Sequence, residues 1–166
     1  MNDDPLRIIV TGGTFDKQYD ELKGELTFRT SMLPDIIRQA RIITPVSIEQ
    51  LHLIDSLQMT SDHRDVIRAA CENSDERRIV ITHGTDRMAE TARFLGPLGI
   101  NKTIVLTGAM IPYQVFGSDA LFNLGSAIAA ARLLPPGVYV AMNGRTFTWQ
   151  DVRKDYERGV FRPVEE

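Results

Sequence analysis

Short apolar, β-branched runs recur along the chain at Leu6 to Val10, Val46 to Ile54, Ile79 to Thr82, Thr103 to Thr107 and Val138 to Met142. Runs of that length predict strands buried on both faces. Between them, apolar residues return at helical spacing over Leu33 to Ala40, Ser61 to Asn73, Met88 to Leu95 and Asp119 to Leu133, as in Leu121, Leu124 and Ile128. Capping side chains at Thr60-Ser61-Asp62 and the stop at Pro135-Pro136-Gly137 agree with those helix bounds. The β-α-β-α order predicts an open, mostly parallel sheet flanked by helices, a three-layer α/β/α domain of the Rossmann-like or flavodoxin-like kind. No linker, repeat or low-complexity segment divides it, so a single domain is expected over residues 1–166.

In such a sheet, ligands bind beyond the carboxyl ends of the strands. The unusual residues of this chain fall there. Gly12, Gly13 and Thr14 follow the first strand, Asp55 to Met59 the second, His83-Gly84-Thr85-Asp86 the third, Gly108-Ala109-Met110 the fourth and Asn143-Gly144-Arg145 the fifth. A single glycine turn of this type can be no more than a tight turn or a helix cap. Taken together, two hydroxyls (Thr14, Thr85) and a carboxylate (Asp86) beside helix amino termini outline an acyl-transfer site, where free N–H groups hold developing negative charge.

A threonine hydroxyl needs a base or a relay to act as a nucleophile. Tyr19 lies in Phe15 to Glu25, a polar stretch containing Gly24 that is expected to act as a mobile lid. It is either a packing residue or the activator of Thr14, and Thr14 can serve as nucleophile only if that lid closes. Lys154, in Asp151-Val152-Arg153-Lys154, is either a solvated charge or a partner of Thr85 and Asp86.

Composition narrows the partners. The chain is 43% hydrophobic and 25% charged, with a net charge of −3, which gives no attraction to nucleic acid or anionic membrane. No run approaches the roughly 18 apolar residues of a membrane span. The acidic start, Met1-Asn2-Asp3-Asp4-Pro5, and a single cysteine, Cys71, predict a cytoplasmic protein without an internal disulfide. No dinucleotide or phosphate-loop motif occurs, and His52, His63 and His83 lack metal-like spacing, so no cofactor and no metal are expected. His52 reads as a strand residue, His63 as a solvated helix residue and His83 as packing below its turn.

The segments "TGGTF", "IDSLQMT", "ITHGTDRMAETA", "VLTGAMIP" with "SDALFNLGSAIAAA", and "VAMNGRTF" with "DVRK" resemble the bacterial L-asparaginase family in order and spacing. The resemblance implies cofactor-free hydrolysis of the side-chain amide of L-asparagine to aspartate and ammonia. By it, Thr14 matches the nucleophile, Tyr19 its activator, and Thr85, Asp86 and Lys154 a second set that handles water or proton transfer. Ser56 matches a residue on the substrate α-carboxylate, Asp86 the α-amino contact and the Ala109 backbone the side-chain amide, with Leu57 and Gly84 beside them. Which threonine attacks first stays open.

Familiar members carry a second, carboxyl-terminal domain, and this chain ends at Glu166, so the resemblance is to short-chain asparaginases that keep only the amino-terminal domain. A homo-oligomer, dimer or tetramer, is then expected, with Tyr156 to Glu166 either packing on a partner or loose. Leu57 stands where the family often has a polar residue, and a lost charged hydrogen bond is worth about 1.5–3 kcal/mol, so weaker substrate binding is expected. Rival readings are an amidohydrolase acting on L-glutamine or D-asparagine, and an inactive amino-acid-binding module.

Overall fold

A computed structural model describes residues 4–165. Its central sheet holds β1 (Leu6–Gly12), β4 (Val46–Ile54), β5 (Arg78–Thr82), β6 (Thr103–Thr107), β7 (Gly137–Met142) and β8 (Arg145–Thr148), in the order β4-β1-β5-β6-β7-β8. The first five are parallel and β8 pairs antiparallel with β7. Two small hairpins lie outside the sheet, β2 (Gln18–Asp20) with β3 (Glu25–Thr27), and β9 (Arg153–Asp155) with β10 (Val160–Arg162). The helices are α1 (Leu33–Gln39), α2 (Ser61–Asn73), α3 (Met88–Leu95) and α4 (Ala120–Leu133).

The continuous apolar runs are explained by period two in a sheet covered on both sides. Ile9, Ile79, Ile81, Ile104 and Leu106 pack with Ile67 and Cys71 of α2 and with Met88, Ala92 and Leu95 of α3. Their neighbours Ile8, Val10, Val80 and Val105 pack with Leu33 and Ile36 of α1 and with Leu124, Ala127 and Ala131 of α4. The α4 stripe runs through alanines and the fully buried Asn123, while Leu121 is 36% exposed, so the expected leucine series is only partly the inner face.

The second strand differs from its expectation. β4 is an edge strand in which Ile48 and Gln50 are exposed and the rest are only partly buried, in keeping with Glu49, Gln50 and His52 within it. The Asn143-Gly144 turn also has a structural task. Both residues take positive φ, 56° and 74°, and close the tight β7–β8 hairpin, for which Asn-Gly is favoured.

Counting only the parallel strands, the order is 2-1-3-4-5, whose switch point lies between β1 and β5. The connections β5–α3–β6 and β6–α4–β7 step across the sheet in the same direction, yet α3 and α4 lie on opposite faces. Their hands are therefore opposite. The β1-to-β4 and β4-to-β5 connections share the hand of β5–α3–β6; because such crossovers are right-handed in about 98% of cases, β6–α4–β7 is the left-handed one. This crossover carries the segment after β6 back over the β1 side, where the Tyr113 amide donates to the Phe15 carbonyl at 3.4 Å.

Candidate active site

At the switch point the ends of β1 and β5 touch through glycine backbone. A Cβ on Gly13 would lie 2.4 Å from the Gly84 Cα, and Gly13 has φ +76°, so no side chain fits there. The Gly13 amide also donates to the Ile54 carbonyl at 2.9 Å, joining the end of β4. A Cβ on Gly84 would stand 2.5 Å from Ser56 Oγ, and one on Gly108 2.4 Å from the His83 carbonyl oxygen. Four strand ends thus close into one floor, with Thr14 and Thr85 flanking its central contact.

Thr14 opens a single 3-10 turn, Thr14–Asp16. Phe15 is fully buried against α1 and α4. Asp16 is buried too, and Oδ1 accepts from the Met32 amide at 2.8 Å and Ser31 Oγ at 3.0 Å. Burial pushes the Asp16 carboxyl up from its ordinary range against those two hydrogen bonds. The expected lid is therefore not uniform, since its first residues are anchored and its remainder is the β2–β3 hairpin. Tyr19 pairs with Leu26 in that hairpin and is 58% exposed. Among the described residues, no hydrogen bond joins Tyr19 to Thr14.

The opposite wall comes from the β9–β10 hairpin. Lys154 faces Phe161 across it, and Phe161 and Val152 are both buried in the main core. The tail through Phe161 is thus packed on its own domain. Lys154 Nζ donates to Thr85 Oγ1 at 2.7 Å and to Asp86 Oδ1 at 2.6 Å, with the lysine side chain 8% and the Asp86 side chain 31% exposed. The ammonium also lies 5.0 Å from the Tyr156 ring, whose hydroxyl donates to the Asp86 carbonyl at 3.1 Å. A hydroxyl, an ammonium and a carboxylate in this contact can stabilise an alkoxide or orient a water and pass its proton on.

Ser56 is buried, and its Oγ accepts from the Arg87 amide at 3.3 Å. Leu57 beside it is 59% exposed, with its amide given to Asp55 Oδ1 at 3.0 Å. Ala109 is buried, and its turn is held by Asn123 Nδ2 donating to the Gly108 carbonyl at 3.0 Å and by the Asp119 carboxylate accepting from the Met110 and Ile111 amides.

Other residues of the site escaped sequence reasoning. Lys17 Nζ meets Asp55 Oδ2 at 2.8 Å, tying the turn after Thr14 to the turn before Ser56, and this ammonium, then the Leu57 amide, holds the Asp55 carboxyl below its usual range. Asn123, a buried amide in an alanine stripe, was the one legible sign of its group. His52 and His63, which bracket the Asp55–Met59 turn in sequence, stack edge to face at 4.8 Å, and His63 completes a capping box with Thr60. Among the described residues, no group of three His, Cys, Asp or Glu is disposed to hold a metal, and no helix is long and apolar enough to cross a membrane.

This sheet, with its strand-end hydroxyls and its lysine–carboxylate pair, defines the class: the family described as "Asparaginase, N-terminal" matches residues 5–160, and the chain belongs to it. It is 34% identical over 164 residues to an L-asparaginase of Thermococcus kodakarensis, covering 93% of this chain and 49% of that one. A glutaminase-asparaginase of Pseudomonas aeruginosa is 29% identical over 160 residues, covering 89% of this chain and 44% of the relative. The solved structure of the thermostable L-asparaginase from Thermococcus kodakarensis superposes with a TM-score of 0.87 at 28% identity, covering 98% of this chain and 52% of that one. The chain thus spans about half the length of these relatives.

Proposed function

We propose that the protein hydrolyses the side-chain amide of L-asparagine to L-aspartate and ammonia through a threonyl acyl-enzyme. The observation that carries this reading is Lys154 Nζ bridging Thr85 Oγ1 and Asp86 Oδ1 beside the Gly13–Gly84 contact. In the first half, Thr14 Oγ attacks the amide carbon and its proton leaves through Tyr19 as the β2–β3 hairpin closes. The C–N bond breaks, and the departing nitrogen takes a proton and leaves as ammonia. In the second half, Thr85, Lys154 and Asp86 orient a water, which attacks the acyl carbon; the ester C–O bond breaks, aspartate forms and Thr14 regains its proton. Ser56 receives the substrate α-carboxylate, with Leu57 and Gly84 beside it; Asp86 takes the α-amino group, and the Ala109 backbone meets the side-chain amide.

The test is ammonia release from L-asparagine by the wild type, Thr14→Ala and Thr85→Ala. Loss of activity in the variants is expected; full activity in both sinks the mechanism. Calorimetric binding of asparagine without ammonia over hours replaces it with an amino-acid-binding module. The name of the Pseudomonas relative favours L-glutamine as a second substrate, and a panel of both amides measures the preference.

Two further proposals accompany this one. A homo-oligomer is supported by Phe116 and Phe122, 102% and 62% exposed, and sedimentation at micromolar concentration measures it. A cytoplasmic location is supported by the lone, buried Cys71; cell fractionation tests it, and recovery from the periplasm refutes it.

A further inference from the structure

His83 is fully buried directly before the Gly84-Thr85-Asp86 turn, and the chemistry above makes no use of it. Its Nδ1 lies 2.8 Å from the Gly84 carbonyl oxygen and its Nε2 2.8 Å from Thr91 Oγ1. A carbonyl only accepts, so Nδ1 carries the proton. Thr91 Oγ1 accepts from Arg64 Nε at 3.2 Å, and its proton has two acceptors in reach, Met59 Sδ at 3.7 Å and Nε2; the unprotonated imidazole nitrogen is much the stronger and nearer, so the hydroxyl donates to Nε2. The ring is therefore a neutral Nδ1–H tautomer at the end of a directed chain, Arg64 to Thr91 to His83 to Gly84. Burial, working against the Gly84 hydrogen bond, pushes its pKa down to about 4, so it stays neutral around pH 7. Arg64, itself 8% exposed and paired with Glu90 at 3.0 Å, is the charged group behind it.

The target of this chain is a peptide plane. The described residues contain no cis peptide, and in a trans plane the carbonyl and the next N–H point opposite ways. Holding the Gly84 carbonyl against the imidazole therefore turns the Thr85 N–H away from the buried ring. Among the described residues that amide has no hydrogen-bond partner. Glycine at position 84 has no side chain to set the plane, and its Cα lies close against the backbone of Gly13 and the side chain of Ser56. Among the described residues, the imidazole is the hydrogen-bond partner of the Gly84 carbonyl.

We propose that His83 is a positioning residue which, through its bond to the Gly84 carbonyl, presets the Thr85 amide as a donor to the oxygen of the amide under attack. This rests on the amidohydrolase reading above. A donor set in advance costs no reorganisation as charge develops, and loss of one such donor typically lowers kcat about 10²- to 10³-fold.

The experiment compares wild type, His83→Leu, His83→Asn and Thr91→Val in ammonia release from L-asparagine, with circular dichroism to verify folding and nitrogen-15 NMR of the imidazoles. The leucine variant loses the donor and is expected to lose about a hundredfold in kcat with KM changed less than about threefold. The asparagine variant puts an amide N–H near the Nδ1 position and recovers most of that loss. Thr91→Val lowers kcat about fivefold and gives part of the ring the Nε2–H tautomer that free imidazole prefers. If His83→Leu is unfolded, the asparagine and valine variants carry the test. A folded leucine variant within twofold of wild-type kcat, an asparagine variant no better than leucine, or an Nε2–H ring in the wild type overturns the proposal. Absence of ammonia from the wild type defeats the amidohydrolase reading instead, and the tautomer signal then reports separately on the hold on Gly84.

Discussion

Two antiparallel hairpins bring side chains to the same sheet edge, and they are held in opposite ways. The β9–β10 hairpin puts Phe161 into the main core, and Lys154 opposite it is 8% exposed at its side chain, bonded to both Thr85 and Asp86. The β2–β3 hairpin is held by polar contacts, Gln18 Nε2 donating to the Thr30 carbonyl at its base and the Asp20 carboxylate accepting from the Leu22 and Lys23 amides in its turn, where Leu22 is 91% exposed. Apolar burial makes the lysine wall rigid, and its lack leaves the tyrosine wall free to open at low cost. Under the proposed mechanism, the lysine wall is the one that must be ready in advance and the tyrosine wall the one that must move.

The contrast can be broken most severely at Lys154. Lys154→Met keeps the aliphatic stem and removes the charge, and is expected to lower kcat about 10³-fold, with about 1–3 kcal/mol lost from Asp86 and Thr85 left unpaired. Steady-state ammonia release and urea denaturation measure the two effects. A loss below tenfold means that the rigid wall is structural only. Gly13→Ala attacks the contact between the two hydroxyl turns, since its Cβ would sit 2.4 Å from Gly84 Cα at a φ of +76°. It should cost about 2–4 kcal/mol of stability and about a hundredfold in kcat.

Tyr19→Phe probes the open wall alone. An exposed residue contributes little to folding, so thermal unfolding should move by less than about 1 °C while kcat falls about thirtyfold. A matching loss of stability would show that Tyr19 packs rather than reacts. The smallest effect is expected at the Lys17–Asp55 pair, which links the base of the open wall to the Ser56 turn. The folded pKa of Asp55 is depressed, so its contribution is present above the ordinary carboxylate pKa and lost as pH falls through the folded value. The wild type should shed under about 1 kcal/mol of stability below roughly pH 4, and Lys17→Met should show a correspondingly flatter acid limb in urea titrations.

The parallel strands and the helices were legible because a doubly covered sheet writes itself as β-branched runs, and amphipathic helices as a second period. The edge position of β4 was also present, in Glu49, Gln50 and His52, but local pattern does not say which strand ends the sheet. The hand of β6–α4–β7 leaves no local trace at all. It follows from which alternate residues of β6 meet α4, a pairing made at long range. Thr14, Thr85 and Asp86 stood out because strand ends are where an open sheet is read for function. Lys154 stood out only through the resemblance, its local pattern leaving a solvated charge open, because its contacts with Thr85 and Asp86 follow from the burial of Phe161, seven residues later in the chain, and a three-residue strand has too short a period to register.

The left-handed connection also has a consequence for the order of assembly. The β7–β8 hairpin is closed by its own Asn143-Gly144 turn and can form early, but its place in the sheet is only beside β6. Lys154 follows that hairpin within a few residues and contacts a turn reached from the middle of the sheet. The lysine is therefore expected to meet Asp86 late, as the far edge is completed. Under the proposed mechanism, activity recovered in a refolding experiment is expected to report a late step of folding rather than the first.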